Sequence, residues 1–275
     1  EKDYYVTMLL RLLAQKMPYI VFKGGTSLSK CHKVIRRFSE DIDITIDTLL
    51  SQGQKKKIKQ AIVDSAQELG MTIENLDETR SRRDYNRYVI AYDSVIPMAS
   101  DALKAAVLLE TSYTAVSFPT VLLPVHSYIG DMMEQEAPDA IEEYNLNPFE
   151  MKVQGIDRTL ADKVFAICDY YLQGKVAKHS RHLYDIYKLL PLVPQDENFR
   201  ELVKEVRAVR AQSVICPSAL PEADVPELLE KIIREKAYKQ DYDSLTTQLL
   251  EENVPYDTVI AALKKVAESS LFENN

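Results

Sequence analysis

The stretch Asp41-Ile42-Asp43-Ile44-Thr45-Ile46-Asp47 alternates polar and apolar residues without a break. That is the period of a β-strand with one buried face, in which Ile42, Ile44 and Ile46 anchor the core and the other side chains face away from it. Asp41 and Asp43 then point the same way, about 6.5–7 Å apart at Cα. Two carboxylates on a rigid base suit Mg²⁺ or Mn²⁺. Mg²⁺ takes near-octahedral oxygen ligation and completes its shell with waters and substrate phosphates, so no all-protein cage is needed. A D-x-D strand alone also describes an acidic solvent face, so the surrounding sequence has to decide.

Upstream, Tyr4–Lys16 carries apolar residues at helical spacing and stops before Pro18. The short apolar run Tyr19-Ile20-Val21-Phe22 then meets Lys23-Gly24-Gly25-Thr26-Ser27-Leu28, which reads as strand, tight turn and helix, with a hydroxyl available as cap. Glycines at the start of a helix let backbone N–H groups approach an anion, and the helix dipole favours a phosphate there. The spacing matches neither a Walker A loop nor a dinucleotide fingerprint. A phosphate cradle followed, one helix later, by a carboxylate strand is a combination suited to phosphoryl transfer. Such sites generally use a third carboxylate. Glu110, inside Val107-Leu108-Leu109-Glu110-Thr111, is the best candidate, because an acid in an apolar run is costly without a cation or an ion-pair partner. An inter-strand salt bridge is its bland alternative, and Asp47 is a weaker contender for the third position.

The chain has 275 residues, 46% hydrophobic and 28% charged, enough for a sizeable core without disordered or low-complexity bias. Its formal net charge of -8 argues against a protein that coats nucleic acid through a global positive field, while leaving room for a local basic groove. Two such stretches exist, Lys55-Lys56-Lys57 with Lys59, and Arg80, Arg82, Arg83 and Arg87; each reads first as a solvated helix or loop face and second as a guide for an RNA backbone. Three separated cysteines, Cys31, Cys168 and Cys216, give neither a disulfide framework nor a zinc knuckle and fit a reducing cytoplasm. No run is long enough for a membrane span and no signal-peptide core is visible. The chain starts at Glu1 without an initiator Met, which points to residues trimmed from its beginning.

A helix is expected from about Gln54 to Leu69, ended by Gly70. Extended segments follow at Met71–Leu76, Asn86–Tyr92, Leu103–Tyr113, Thr120–Ser127 and Phe149–Gly155. After Ile156 the pattern turns helical: Thr159–Leu172, Arg181–Leu190, Phe199–Arg210, Val225–Ala237, Ser244–Glu252 and Pro255–Leu271. The expectation is an α+β protein, a mixed-sheet domain over residues 1–155 followed by a helical bundle over 156–275. His179 and His182 lack a third ligand at metal-binding spacing and read as helical surface residues.

The run Phe22-Lys23-Gly24-Gly25-Thr26-Ser27-Leu28 and the run Arg37-Phe38-Ser39-Glu40-Asp41-Ile42-Asp43 resemble the first two motifs of the AbiEii-type nucleotidyltransferases. Thr159-Leu160-Ala161-Asp162-Lys163-Val164 and Ser180-Arg181-His182-Leu183-Tyr184-Asp185-Ile186-Tyr187 resemble the third and fourth, a helical lysine and a downstream aspartate. The family belongs to the polymerase-β-like superfamily, includes relatives of the MenT toxins, and supplies the toxins of type IV toxin–antitoxin systems. The resemblance implies a polymerase-β-like core carrying the metal and phosphate site, with the helical half closing the nucleotide cleft. It implies that Asp41 and Asp43 bind metal, with Glu110 added on strand placement. Lys23 to Ser27 and Ser39 would face the phosphates, Lys163 would offer its ammonium to the triphosphate, and Asp185 would orient Lys163 or hold the nucleotide. Arg181, read from its position beside this motif and not from the family, is expected as a further phosphate contact. The implied reaction moves an NMP from an NTP to an acceptor hydroxyl, with tRNA or another translation component as acceptor and a separately encoded antitoxin as partner. Two rivals remain at this stage: a nucleotidyltransferase acting on a small, antibiotic-like acceptor, which needs an enclosed pocket, and a catalytically silent nucleotide-binding module, against which the intact Asp41, Asp43 and Lys163 count.

Overall fold

In the computed structural model, residues 1–39, 41–96 and 104–274 are described. Glu40 of the second motif and the expected strand start at Leu103 lie outside them. The chain forms two compact units, residues 1–33 with 39–154, and residues 34–38 with 155–275.

The first unit is built on a seven-stranded mixed sheet in the order β3-β4-β5-β2-β1-β7-β6. Its strands are β1 (Ile20–Lys23), β2 (Ile42–Ile46), β3 (Thr72–Ile73), β4 (Tyr85–Ala91), β5 (Ala106–Val116), β6 (Thr120–Val125) and β7 (Phe149–Gln154). β1 runs antiparallel to β2, and β2 parallel to β5, so the expected carboxylate strand sits at the centre of the sheet. Period-2 alternation does the rest. Ile42, Ile44 and Ile46 join Phe22, Tyr88, Ile90, Val107 and Leu109 in a core that also takes the apolar faces of α1 (Lys2–Lys16) and α3 (Gln52–Glu68). The side chains between them in sequence, Asp43, Glu110 and Arg87, therefore stand on the opposite face.

Between β1 and β2 lies α2 (Gly24–Lys30). α3 starts with a capping box: the Ser51 hydroxyl accepts from the Gln54 amide while the Gln54 side chain accepts from the Ser51 amide. Gly70 ends that segment at φ +67, the left-handed conformation expected of a C-terminal glycine. Two short helices, α4 (Tyr128–Glu136) and α5 (Asp139–Glu143), occupy a stretch for which periodicity gave no element. The extended segment expected at Met71–Leu76 shrinks to the two residues of β3, followed by a single 3₁₀ turn at Leu76–Glu78.

The second unit is helical: α6 (Ile156–Leu172), α7 (Arg181–Leu189), α8 (Glu197–Arg210), α9 (Val225–Glu235), the short α10 (Lys239–Asp241) and α11 (Thr247–Leu249), and α12 (Tyr256–Glu268). The helix expected over Ser244–Glu252 is instead a π-turn at Tyr242–Thr246 leading into α11. The reason is at Leu250, which leaves helical geometry so that the chain pairs with the early segment: Phe38 N–H donates to Leu249 O at 2.9 Å and Glu251 N–H to Arg36 O at 3.0 Å. An isolated antiparallel bridge to a distant part of the chain overrides local helical preference.

Helix α6 carries Lys163, and its far end is fixed by Asp169. The buried carboxylate accepts from the Ser218 amide (2.9 Å), the Ser218 hydroxyl (2.7 Å) and Arg210 Nη2 (2.6 Å). Removing it leaves the buried Ser218 amide without its acceptor, while Arg210 keeps Asp162 (3.1 Å) and the Ser218 hydroxyl keeps Phe165 O (3.1 Å). Asp169→Ala is expected to lower unfolding stability by about 1–3 kcal/mol, measured by urea denaturation; a loss below about 0.5 kcal/mol would show that the network is dispensable.

Candidate active site

The first unit gathers most of the predicted residues on the face of the sheet opposite its core. Register places Lys23 opposite Asp43, Asp43 opposite Glu110, and Glu110 opposite Arg87. Directly paired residues share a face, so four adjacent strands present a row with the charges +, −, −, +. Asp41, two residues before Asp43 and just ahead of β2, continues the acidic side. Glu110 stands beside Asp43 in register and lies 3.7 Å from Arg87, the inter-strand salt bridge that was its bland alternative, with the Tyr85 phenol nearby. Burial, followed by the neighbouring Glu110 carboxylate, pushes the Tyr85 phenol above its ordinary value, so it stays protonated and a donor. Asp47 leaves the group: it follows the end of β2 and pairs with Lys152.

Gly24 makes the close approach that its sequence position suggested, but to a carboxylate. Its φ is +82, and a Cβ there would overlap Asp43 Oδ2 and lie 3.0 Å from Asp43 Cγ. A side chain here is disfavoured twice, by backbone conformation and by the space that Asp43 occupies. Helix α2 begins at Gly24 itself, with no side chain capping it. Its first amides thus lack intrahelical partners, as at any helix start. The hydroxyls make hydrogen bonds within the unit. Buried Ser27 donates back to Gly24 O (2.9 Å), and buried Thr26 shares a 2.9 Å hydrogen bond with Ser39, tying the loop before the carboxylate strand to the helix after the glycines.

Among the described residues no group of three or more His, Cys, Asp or Glu side chains is arranged to hold a metal ion. The donor set of Asp41 and Asp43 fits a hard cation that binds through one or two carboxylates and borrows substrate oxygens. The three cysteines are free and buried, and burial pushes the Cys31 thiol up to about 12, so no thiolate nucleophile is present there.

In the second unit Lys163 and Asp185 meet, as anticipated, with Lys163 Nζ donating to Asp185 Oδ2 at 2.6 Å. A third member was not foreseen. Arg37 forks onto the same carboxylate, Nε to Oδ1 at 2.7 Å and Nη2 to Oδ2 at 2.8 Å, and both residues are buried. Arg37 stood in the quoted motif, but nothing in the sequence indicated a partner 148 positions away. Arg181 is the first residue of α7 and is half-buried. His179 and His182, expected on the surface, instead stack with Tyr170 at 3.5 and 5.7 Å; burial, and then the nearby Lys163 charge, hold the His182 imidazole neutral at pH 7.

Desolvation alone would push the Asp185 carboxyl up, but Arg37 and Lys163 outweigh it and hold the group well below the usual carboxylate range. A depressed folded-state value means stabilisation that is complete above the unfolded-state value of about 4 and is lost as pH falls below it. Asp185→Asn should therefore cost about 3–5 kcal/mol at pH 7, since two buried cations lose their anion. In denaturation series, the gap to the wild type should narrow steadily as pH is lowered from about 4; a gap independent of pH would refute this assignment.

No curated protein matches the chain in sequence. Among solved structures it is similar to MenT4, a nucleotidyltransferase toxin from Mycobacterium tuberculosis H37Rv, with a TM-score of 0.52 and 16% identity over 97% of this chain and 82% of that one. At that identity the likeness shows a shared fold, here an α+β nucleotidyltransferase architecture with a mixed sheet. The family described as "Nucleotidyl transferase AbiEii toxin, Type IV TA system" matches residues 8–264, nearly the whole chain, and includes all four quoted motifs. The chain therefore belongs to the AbiEii nucleotidyltransferase toxins of type IV toxin–antitoxin systems, and it is a nucleotidyltransferase.

Proposed function

We propose that this enzyme transfers an NMP from an NTP to a hydroxyl of RNA, tRNA being the favoured acceptor, and that it needs Mg²⁺ or Mn²⁺. The observation that carries the reading is the row on the sheet face, with Asp43 held between Lys23 and Glu110 and pressed against Gly24. Asp41 and Asp43 would hold the metal; Glu110, opposite Asp43 in register, is the candidate third carboxylate, although the described residues form no ready three-carboxylate group. When bound, the metal supplies charge neutralisation for the triphosphate and the departing pyrophosphate.

The uncapped amides at Gly24 and Gly25, together with Lys23, Thr26, Ser27 and Ser39, form the phosphate side of the site. The acceptor oxygen attacks the α-phosphorus, the bond from that phosphorus to the β-phosphate oxygen breaks, and the electron pair leaves with pyrophosphate. The acceptor's proton passes to a carboxylate of the row, for which Glu110 and the two aspartates are the available bases. Catalysis is then mainly positioning and charge stabilisation. The same proposal keeps for Lys163 the phosphate-binding role that the resemblance implies, and for Arg181 that of a further phosphate contact. Asp185 acts as a positioning residue, bonded to Lys163 and Arg37.

RNA is favoured over a small acceptor by exposed cations on the first unit. Lys55, Lys59, Arg80 and Arg83 are partly spent on Asp84 and on loop carbonyls, whereas Lys56, Lys57 and Arg82 are exposed on the surface. A toxin–antitoxin family implies an antitoxin partner, and we place the protein in the cytoplasm. No helix among the described residues is long and apolar enough to cross a membrane.

The test is incubation with each α-labelled NTP in turn, bulk tRNA and Mg²⁺, scoring label on RNA. Label on tRNA that falls at least about a hundredfold in Asp43→Ala, and that vanishes with chelator, is the expected result. Transfer to a small hydroxyl compound but not to RNA would replace the acceptor; no transfer at all would overturn the proposal.

A further inference from the structure

On strand β4, Tyr85 and Arg87 are two residues apart and so share the face that carries Asp43 and Glu110. Both remain open to solvent, Tyr85 51% and the Arg87 side chain 53% exposed, while their polar ends converge on Glu110, itself 35% exposed. Tyr85 stands on a sheet strand in register with Ser112, which sets the direction in which its side chain leaves the sheet. A guanidinium 3.7 Å from that carboxylate is too far for a tight ion pair and keeps donors for another anion. Arg82, exposed three residues before Tyr85, extends the cationic edge. An oriented aromatic face flanked by arginines is the chemistry that holds single-stranded nucleic acid, with the base on the ring and the phosphate on the cation. A structural role explains the hydroxyl's contact with Glu110 but leaves the half-exposed ring and the surplus guanidinium donors unused.

We propose that Tyr85 and Arg87 form the acceptor-strand subsite: a base of single-stranded RNA stacks on the Tyr85 ring, its phosphate meets Arg87, and the strand's hydroxyl is thereby brought to Glu110 and Asp43. This rests on the nucleotidyl-transfer reading for its orientation toward the carboxylates. Binding of the strand itself needs neither NTP nor metal.

The experiment is fluorescence anisotropy of a short labelled single-stranded RNA with the full chain, without NTP or divalent metal, across a range of salt. Tyr85→Ala should raise Kd roughly fivefold to a hundredfold, and Tyr85→Phe, which keeps the ring and drops the hydroxyl, should stay within about twofold of wild type. Arg87→Ala should weaken binding and reduce the slope of log K against log salt by about 0.7. Equal affinity of Tyr85→Ala and wild type, a Phe variant as weak as the Ala variant, or no binding by the wild type would each overturn the subsite. Transfer assays on the same preparations separate the two ideas. Wild-type transfer to RNA with unaltered RNA binding by Tyr85→Ala sinks the subsite alone, whereas Tyr85-dependent RNA binding without transfer to any acceptor sinks the reaction alone.

Discussion

The contact on which the first unit's site depends is between a backbone and a carboxylate. Gly24 turns at φ +82 directly against Asp43, and no other residue type provides both that conformation and that space. The turn ends β1 and starts α2 in one step, so the helix's unpartnered amides and the central acid of β2 are neighbours by construction. Thr26 and Ser39 lock the arrangement from the other side. Anion donors and metal-type ligands side by side are what a metal-bound triphosphate needs.

Once Asp43 is fixed, hydrogen-bond register spreads the charge. Lys23, Asp43, Glu110 and Arg87 are paired across four strands, so the flanking cations counter the repulsion between the two adjacent acids. The second unit solves a similar problem by burial. There Asp185 is shared between Lys163 and Arg37, and the two cations keep a fully buried carboxylate ionised. The first cluster is partly open to solvent, whereas the second is closed around its carboxylate.

Much of this was legible in the residues because the deciding signals were local. Strict alternation over Asp41–Asp47 identified the central strand, paired glycines marked the tight turn, and the change to helical periodicity after Ile156 matched the helical makeup of the second unit. What escaped notice was non-local or faint. Helices α4 and α5 are short, acidic and separated by Pro138; the available hint was Ser127, read as a strand end, whose hydroxyl caps Gly130. The break in the expected Ser244–Glu252 helix comes from pairing with residues 36–38, far away in sequence. The same segment delivers Arg37, and register, invisible in one sequence, brought Tyr85 and Arg87 to Glu110.

The most direct test of the central claim is the nucleotidyl-transfer rate of Gly24→Ala, read beside its thermal melt. The backbone strain of one positive-φ alanine is about 1–2 kcal/mol, a loss that leaves a protein of this size folded. Displacing Asp43 should nevertheless lower transfer on the order of a hundredfold. A folded Gly24→Ala enzyme transferring at the wild-type rate would show that the contact between Gly24 and Asp43 does not govern the site.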